Sequence, residues 1–148
     1  MKTVILVLLA TLSFHTAFAG QGDACADAYQ ALGYGSNYSR DGLVQYCNEM
    51  GYIAAHAEAV MLYQGRTSTG ANEIFAWVKD QSFTAAHISA ARHYIKLGTD
   101  TGLTEILTYI KSENFTKKQV SCAIEGAPET VEKFTEWLVY CKSQSPAQ

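Results

Sequence analysis

The fold is decided at residues 84–115, which read TAAHISAARHYIKLGTDTGLTEILTYIKSENF and repeat the pattern of the residues just before them. Ala-Ala-His at 54–56 recurs at 85–87, and Tyr63 recurs as Tyr94, in both cases 31 residues later. After a one-residue slip in the turn, the correspondence continues through the second half of each copy. A period of this length is typical of stacked helical units that cannot bury their apolar faces alone.

Each copy carries the signals of a helical hairpin. In the later copy Thr84 is a candidate N-cap, and Phe83 and Ile88 have the spacing of a hydrophobic staple. Gly98 is placed to end this first helix in the left-handed conformation. A second helix is expected at residues 103–112, where apolar residues recur with helical spacing and form a broad apolar face.

Two more copies extend the repeat on both sides. Residues 137–142 match residues 106–111, and residues 43–47 match residues 74–78. Pro128 is expected at the first position of the last helix, where the missing N–H costs no hydrogen bond. We predict an all-α fold of about four antiparallel helical hairpins, stacked as a short solenoid-like or closed array with disulfide-stapled end units. The hairpins are expected at residues 24–50, 52–82, 84–114 and 116–142.

The first residues have the pattern of a secretory leader. Lys2 provides a positive charge, residues 4–14 are apolar, and Ala-Phe-Ala at 17–19 is a small-x-small cleavage site. A membrane anchor would need about 20 apolar residues, and no second apolar run of that length follows. We therefore predict a signal peptide at residues 1–19 and a single, secreted, all-helical domain at residues 20–148.

The charge balance argues against two classes of partner. The chain has 11 Lys and Arg against 14 Asp and Glu, which gives a formal net charge of −3. Nucleic acids and anionic membranes are bound through basic patches that displace counterions. We expect neither as a partner.

Four cysteines in a chain with a secretory leader predict two disulfides. Cys47 and Cys141 occupy the same repeat position on the second helix of the outer hairpins, while Cys25 and Cys122 lie on the first helices. We therefore predict that Cys25 pairs with Cys47 and Cys122 with Cys141, each bond holding an end hairpin together. Bonds that join the first hairpin to the last are the alternative, and they would close the array into a compact bundle.

Two sequons are candidate sites of N-glycosylation, at Asn37 and Asn114. Asn37 lies in a long loop rich in Gly, Ser and Tyr. The sequon of Asn114 includes Phe115 and Thr116, which are also expected to serve as the staple and the cap of the next helix. Asn37 is therefore the better candidate.

No motif for catalysis or metal binding stands out. His56 and His87 share one repeat position, and with Glu58 nearby they are the best candidates for a metal site. The six-residue spacing from His87 to His93 does not place both rings on one helix face, and a histidine near a helix start can instead accept from the backbone. No nucleophile, phosphate-loop or dinucleotide motif is present. We expect no enzymatic activity, no cofactor and no metal.

Tyrosines supply the candidate binding residues. Tyr63 and Tyr94 recur on the first helices, where core packing explains them, although a row of tyrosines at a concave edge also suits a binding surface. Tyr34 and Tyr38 lie in the long first loop, where packing does not explain them. Core packing is the expectation for the other recurring aromatic residues, Tyr29, Tyr46, Trp77, Tyr109 and Tyr140.

One hairpin resembles a known architecture. The pattern Gly-x-x-Glu-Ile-x-x-Tyr-Ile-Lys at 102–111, followed by Asn-Phe at 114–115, is similar to the HEAT-like helical repeats in the C-terminal domains of secreted zinc aminopeptidases. The resemblance covers one unit and implies an architecture only. The metal-binding motif of those enzymes is absent from this sequence.

The sequence supports two hypotheses of function. A secreted, non-enzymatic helical-repeat module that binds an extracellular protein or peptide is favoured by the repeat, since such arrays serve mainly as binding scaffolds. A secreted carrier of a small hydrophobic ligand, in a disulfide-stabilised helical bundle, is the alternative. A carrier would need an enclosed apolar cavity.

Overall fold

The computed structural model describes residues 20–34 and 38–145 of the chain, and these residues form two compact units. The first unit extends to Ser82, and the second begins at Phe83. Every regular element in the described residues is a helix. The predicted all-α fold is therefore confirmed, while the signal peptide predicted at residues 1–19 lies outside the described residues.

Eight helices follow one another along the described parts of the chain. Helix α1 covers residues 20–31. The others are α2 (Arg40–Glu49), α3 (Ala54–Met61), α4 (Ala71–Gln81), α5 (Ala85–Lys96), α6 (Leu103–Glu113), α7 (Lys117–Glu125) and α8 (Val131–Gln144).

In the first unit a disulfide and aromatic rings hold the helices together. Cys25 of α1 is bonded to Cys47 of α2, and both are buried. Helix α3 packs on α4. Tyr29 of α1 stacks on Phe75 of α4 with ring centroids 4.5 Å apart, and its hydroxyl donates to Oδ1 of Asn72 at 2.8 Å. This side chain therefore joins the first helix to the fourth through apolar and polar contacts together.

The second unit is built in the same way. Helix α5 packs on α6, α7 packs on α8, and α5 also contacts α7. Cys122 of α7 is bonded to Cys141 of α8. Phe134 of α8 is fully buried, with its ring centroid 4.4 Å from His93 and 5.0 Å from Tyr94 of α5. Two disulfides are thus present, and they join the cysteines that the repeat pairs.

Reciprocal caps that begin with a threonine start two helices of the second unit. Oγ1 of Thr84 accepts from the N–H of His87 at 3.3 Å, and Nδ1 of His87 accepts from the N–H of Thr84 at 3.2 Å. Thr116 and Gln119 exchange the corresponding pair of bonds at the start of α7. Each reciprocal pair satisfies two N–H groups that the helix itself leaves without partners.

The helix ends adopt left-handed backbone conformations. Gly98, after α5, has φ of 79°, as the sequence predicts. Ser82 and Asn114 end α4 and α6 with φ of 53° and 52°. Asparagine tolerates this conformation better than most residues do, which explains its use there.

The expectation that Pro128 begins the last helix is wrong. Helix α8 begins at Val131, and Oγ1 of Thr130 accepts from the N–H of Lys133 at 3.3 Å. Pro128 is buried in the connection before that cap, after Ala127 with φ of 47°. A threonine cap satisfies a free N–H at the start of the helix, whereas a proline only omits one.

One lysine in each unit makes the same set of contacts, which we call the lysine clamp. In the first unit Nζ of Lys79 donates to the carbonyl oxygen of Met50 at 2.6 Å, and it lies 5.6 Å from the centre of the Tyr52 ring. The carbonyl belongs to Met50, the C-cap residue of α2, which lies at the negative end of the helix dipole. The lysine thus links α4 to the C-terminal end of α2.

Lys142 forms the clamp of the second unit. Its Nζ donates to the carbonyl oxygen of Glu113, the last residue of α6, at 2.7 Å. The same Nζ lies 5.3 Å from the centre of the Phe115 ring, and it also donates to Oε2 of Glu113 at 2.8 Å. A carbonyl at a helix end and an aromatic ring are therefore common to both clamps.

Candidate functional site

The loop between α1 and α2 exposes two tyrosines, Tyr34 and Tyr38. We call the described part of this loop that carries them the tyrosine loop. Tyr34 is 47% exposed and Tyr38 is 69% exposed. Residues 35–37, and with them the candidate glycosylation site Asn37, lie outside the described residues. Tyrosine presents a large apolar ring and a hydroxyl at low conformational cost, so exposed tyrosines are suited to contact a partner.

Charged and capping contacts hold the base of the tyrosine loop. Arg40, the first residue of α2, donates to Asp23 at 2.6 Å and to Asp27 at 3.2 Å. Both carboxylates lie one turn apart on α1, so one guanidinium ties the two helices together beside the loop. Oγ of Ser39 accepts from the N–H of Gly42 at 3.1 Å and caps α2. The segment that follows Tyr38 is therefore fixed to the helices.

The other end of the tyrosine loop is fixed as well. The backbone N–H of Tyr34 donates to the carbonyl oxygen of Tyr29 at 3.0 Å, which closes α1. A β-carbon added to Gly70, the N-cap of α4, would lie 3.0 Å from the hydroxyl oxygen of Tyr34. The hydroxyl end of Tyr34 thus rests against the start of α4 because glycine leaves room for it.

The other two candidate binding tyrosines belong to the core. Tyr63 is 6% exposed and Tyr94 is 4% exposed, so neither presents a surface to a partner. Tyr94 shares a 2.8 Å hydrogen bond with Oγ1 of Thr135, and burial raises the pKa of its hydroxyl. We correct the expectation accordingly: the hydroxyls are accommodated inside the hairpins, as the core-packing interpretation of the repeat predicts.

A second aromatic group lies on α8, the half-buried Trp137 and the exposed Tyr140, and we call these two residues the aromatic corner. Their ring planes meet at 89° with centroids 5.5 Å apart. Together with Lys133 and Glu136 they line an open depression of about 320 Å³. Tyr140 is 53% exposed, which contradicts the expectation that it packs in the core, while its repeat equivalents Tyr46, Trp77 and Tyr109 are half-buried.

A pair of substitutions within the repeat explains the aromatic corner. Thr116 corresponds to Thr84 as a cap, so Gly126 stands where Tyr94 stands in the preceding hairpin, and Trp137 stands where Ile106 stands. A β-carbon on Gly126 would lie 2.6 Å from Cε2 of Trp137. The indole therefore occupies space that the missing tyrosine leaves. The sequence signal is the glycine at a position where other hairpins carry tyrosine.

Two histidines stand at helix starts and accept hydrogen bonds there. Nδ1 of His56 accepts from the N–H of Ile53 at 3.2 Å, and His87 accepts from Thr84 in the same way. Burial lowers the pKa of both imidazoles, and nearby lysines, Lys79 and Lys111 respectively, lower it further. Both rings are neutral at pH 7, which the hydrogen bond to Nδ1 requires.

The third histidine is placed differently. His93 lies in α5, and its Nε2 is buried without a hydrogen-bond partner among the described residues. Burial lowers the pKa of the ring, with a smaller contribution from Lys96. The ring packs against Phe134 as an apolar group does. None of the described histidines is therefore arranged as an acid or base beside a nucleophile.

The second sequon is exposed. Asn114 is accessible at the end of α6, while Phe115 is buried and Thr116 caps α7. The asparagine itself is thus available on the surface, although its sequon partners serve the fold. Glycosylation at this position stays a prediction.

Two searches of the described residues and three comparisons complete the description of the site. Within residues 20–34 and 38–145, no group of three or more His, Cys, Asp or Glu side chains is arranged to hold a metal ion. None of the helices in that part of the chain combines the length and apolar character needed to cross a bilayer. No family model, curated protein or solved structure matches this chain.

Proposed function

We propose that the chain is a secreted, non-enzymatic helical-repeat module that binds an extracellular protein or peptide through the tyrosine loop. The observation that carries the proposal is the exposure of Tyr34 and Tyr38 on a loop whose two ends are held. Interface centres are enriched in tyrosine, and the fixed segments beside Tyr34 and Tyr38 lose little conformational entropy when a partner binds.

The proposal includes the stacked array of four hairpins. It is supported by the period of 31 residues and by contacts inside each unit. In the second unit α5 contacts α7, as expected for first helices of successive hairpins. The lysine clamps of Lys79 and Lys142 link the second helices of successive hairpins at equivalent repeat positions. Arrays of this kind present extended surfaces and are used mainly for binding.

Secretion is supported by the disulfides, which persist in oxidising compartments and are rare in the cytosol. The non-enzymatic part of the proposal is supported by the histidines. The two at helix starts are engaged in capping, and the third packs against Phe134. Their lowered pKa values follow from burial in the fold, a sufficient explanation that needs no catalytic role.

The depression on α8 does not have the character that a carrier of a hydrophobic ligand needs. The depression is open at the surface, and Lys133 and Glu136 contribute charged side chains to it. A carrier would enclose its ligand among apolar residues. Native mass spectrometry of protein purified from its source checks this choice, and a co-purifying lipid would favour the carrier.

The experiment that tests the proposal compares three immobilised proteins, each residues 20–148. They are the wild type, the double variant Tyr34→Ala/Tyr38→Ala, and Val139→Ala as a matched control that shortens an exposed apolar side chain elsewhere. Extracellular fluid of the source organism is passed over each, and bound proteins are quantified by mass spectrometry. We expect a protein that is enriched on the wild type and on the control and is lost from the double variant. An identical set of bound proteins on all three would contradict the proposal.

A further inference from the structure

We propose that the aromatic corner on α8 binds a neutral pyranose residue of an extracellular glycan. The site uses no residue of the tyrosine loop and goes beyond the binding function proposed above. Its depression of about 320 Å³ is near the small end of the range of ligand pockets, roughly 300–1,000 Å³. A ring-sized ligand is matched to that volume better than a folded peptide segment.

The two aromatic rings provide the apolar part of the site. They stand at 89° to each other, so a ligand placed in the depression meets two ring surfaces at once. A pyranose has a face of C–H groups that packs on an aromatic ring, and hydroxyl groups around its edge. Tyrosine and tryptophan suit such ligands because each joins an apolar body to a polar tip.

The indole is held in place before any ligand binds. Two atoms of Trp137, Cε2 and Cδ2, would lie 2.6 and 2.7 Å from a β-carbon on Gly126, so the indole is in close contact with the backbone of the α7 end. A ring that is already fixed loses little freedom on binding, and preorganisation of this kind raises affinity. The glycine that replaces the tyrosine of other hairpins therefore has a consequence for binding as well as for packing.

The charged residues of the depression favour a neutral ligand over an ionic one. Nζ of Lys133 donates to Oε2 of Glu136 at 2.8 Å, and both side chains are largely exposed. An exposed ion pair contributes little to stability, so ligand hydroxyls can replace either partner at small cost. Hydroxyl groups donate and accept, and they can use the ammonium and the carboxylate together. The pair carries no net charge, so it gives no overall attraction to either a cation or an anion.

The chain offers an internal control for a binding experiment. It has two tryptophans, Trp77 in the first unit and Trp137 in the second. Both indole N–H signals can be followed by nuclear magnetic resonance in ¹⁵N-labelled residues 20–148. Cellotriose, triacetylchitotriose and mannotriose are the neutral probes, and tetramethylammonium chloride is the cationic probe.

We expect at least one of the three oligosaccharides to shift the Trp137 signal saturably, while the Trp77 signal stays in place. No saturable shift with any of them up to the solubility limit overturns the proposal. A shift of the Trp137 signal by tetramethylammonium alone also overturns it and identifies a cation site instead. Shifts of both tryptophan signals that grow linearly with sugar concentration indicate a solvent effect and count against it.

Variants separate binding from folding. Tyr140→Ala removes a half-exposed ring, so helical content by circular dichroism should not change, while the affinity for the oligosaccharide falls about tenfold, equivalent to about 1.4 kcal/mol. Met61→Ala shortens an exposed side chain of the first unit, outside both candidate sites, and should leave the affinity unchanged. Equal affinity in Tyr140→Ala and the wild type would refute the site.

Discussion

The lysine clamps of the two units show what the repeat preserves and what it leaves free. Lys79 and Lys142 both donate to a backbone carbonyl at the end of a preceding helix, and both lie over an aromatic ring. Only Lys142 also binds a carboxylate, that of Glu113. The contacts common to both units use a backbone carbonyl and an aromatic ring at the same position of the repeat, whereas the additional ion pair depends on one local side chain. Repetition thus maintains the contacts that assemble hairpins and permits variation around them.

The outer surfaces of the units differ more than their interiors do. The first unit exposes Tyr34 and Tyr38 on a long loop, and the second exposes Tyr140 beside Trp137 on its last helix. In each unit the exposed aromatic residues belong to a disulfide-bonded hairpin. The exposed aromatic residues, which depart from the repeat, therefore lie in the two hairpins that contain a disulfide.

The largest expected effect comes from removing the disulfides, which tests whether the two end hairpins need the same reinforcement. The bonds span similar separations, 22 residues for Cys25–Cys47 and 19 for Cys122–Cys141. Each double Cys→Ala variant should lose about 3 kcal/mol of unfolding free energy, because the unfolded chain regains loop entropy. Urea denaturation measures the loss. A cost below about 1 kcal/mol for one pair and not the other would show that the end hairpins are not equivalent.

A smaller effect is expected at Gly126, where the second unit departs from the first. Gly126→Ala forces the Trp137 indole to move and should cost about 2 kcal/mol through overpacking. Urea denaturation gives the free energy, and near-ultraviolet circular dichroism reports the displaced indole. The control is Gly102→Ala, where a β-carbon would meet Glu105 at an ordinary 3.9 Å. If both alanine variants have the same stability, the close packing of the indole on Gly126 is contradicted.

The clamps themselves can be compared by substitution. Lys142→Met should cost about 1 kcal/mol, because it removes charge-assisted hydrogen bonds and leaves Glu113 without its cation. Lys79→Met should cost less, since that lysine is exposed and its clamp consists of a carbonyl and the Tyr52 ring without a carboxylate. Lys133→Met removes an exposed ion pair and should cause no measurable change. Thermal unfolding ranks the three variants, and a larger loss at position 79 than at 142 would contradict the role of the carboxylate.

The smallest expected effect is a pH dependence of stability from the three described histidines, two of which cap helices. Burial lowers the folded-state pKa of His56, His87 and His93 below the unfolded value of about 6.5. The unfolded chain therefore binds protons first as the pH falls. The contribution of these residues is complete above pH about 6.5 and is lost progressively below it, until the folded-state pKa is passed.

The chain contains its own control for the histidine caps. Gln119 occupies the same capping position in the last hairpin, and its side-chain oxygen accepts from Thr116. The double variant His56→Gln/His87→Gln should therefore stay folded and lose stability less steeply between pH 7 and 5 than the wild type. Urea midpoints measured across that range test this. An unchanged pH dependence would show that the caps do not carry it.

Much of the fold could be predicted because its determinants are local. Thr84, Thr116 and Gly98 act within one helical turn, so their roles follow from neighbouring residues. The cysteine pairs follow from the repeat, which places both members of each pair in one hairpin. Pro128 shows the limit of local rules, because a threonine two residues later provides a better start for α8.

The candidate sites were less accessible to prediction. The exposure of Tyr34 and Tyr38 agrees with their position in a loop. Tyr63 and Tyr94 are buried instead. The periodicity of the sequence does not show whether a residue at the edge of a hairpin is covered by a neighbouring helix. Tyr140 was expected in the core because its repeat equivalents suggest packing. It is 53% exposed instead, beside the Trp137 indole, which packs against Gly126.

The sequence by itself determined the helical class, the period, the caps and the number of disulfides, because each depends on residues close together in the chain or on a count. The tertiary structure alone decided which aromatic rings are buried and which remain on the surface. That outcome depends on the volumes of side chains that meet from different helices, as Trp137 and Gly126 do. The sequence shows only that Gly126 departs from the repeat, and the packing of the Trp137 indole against it is decided by the fold.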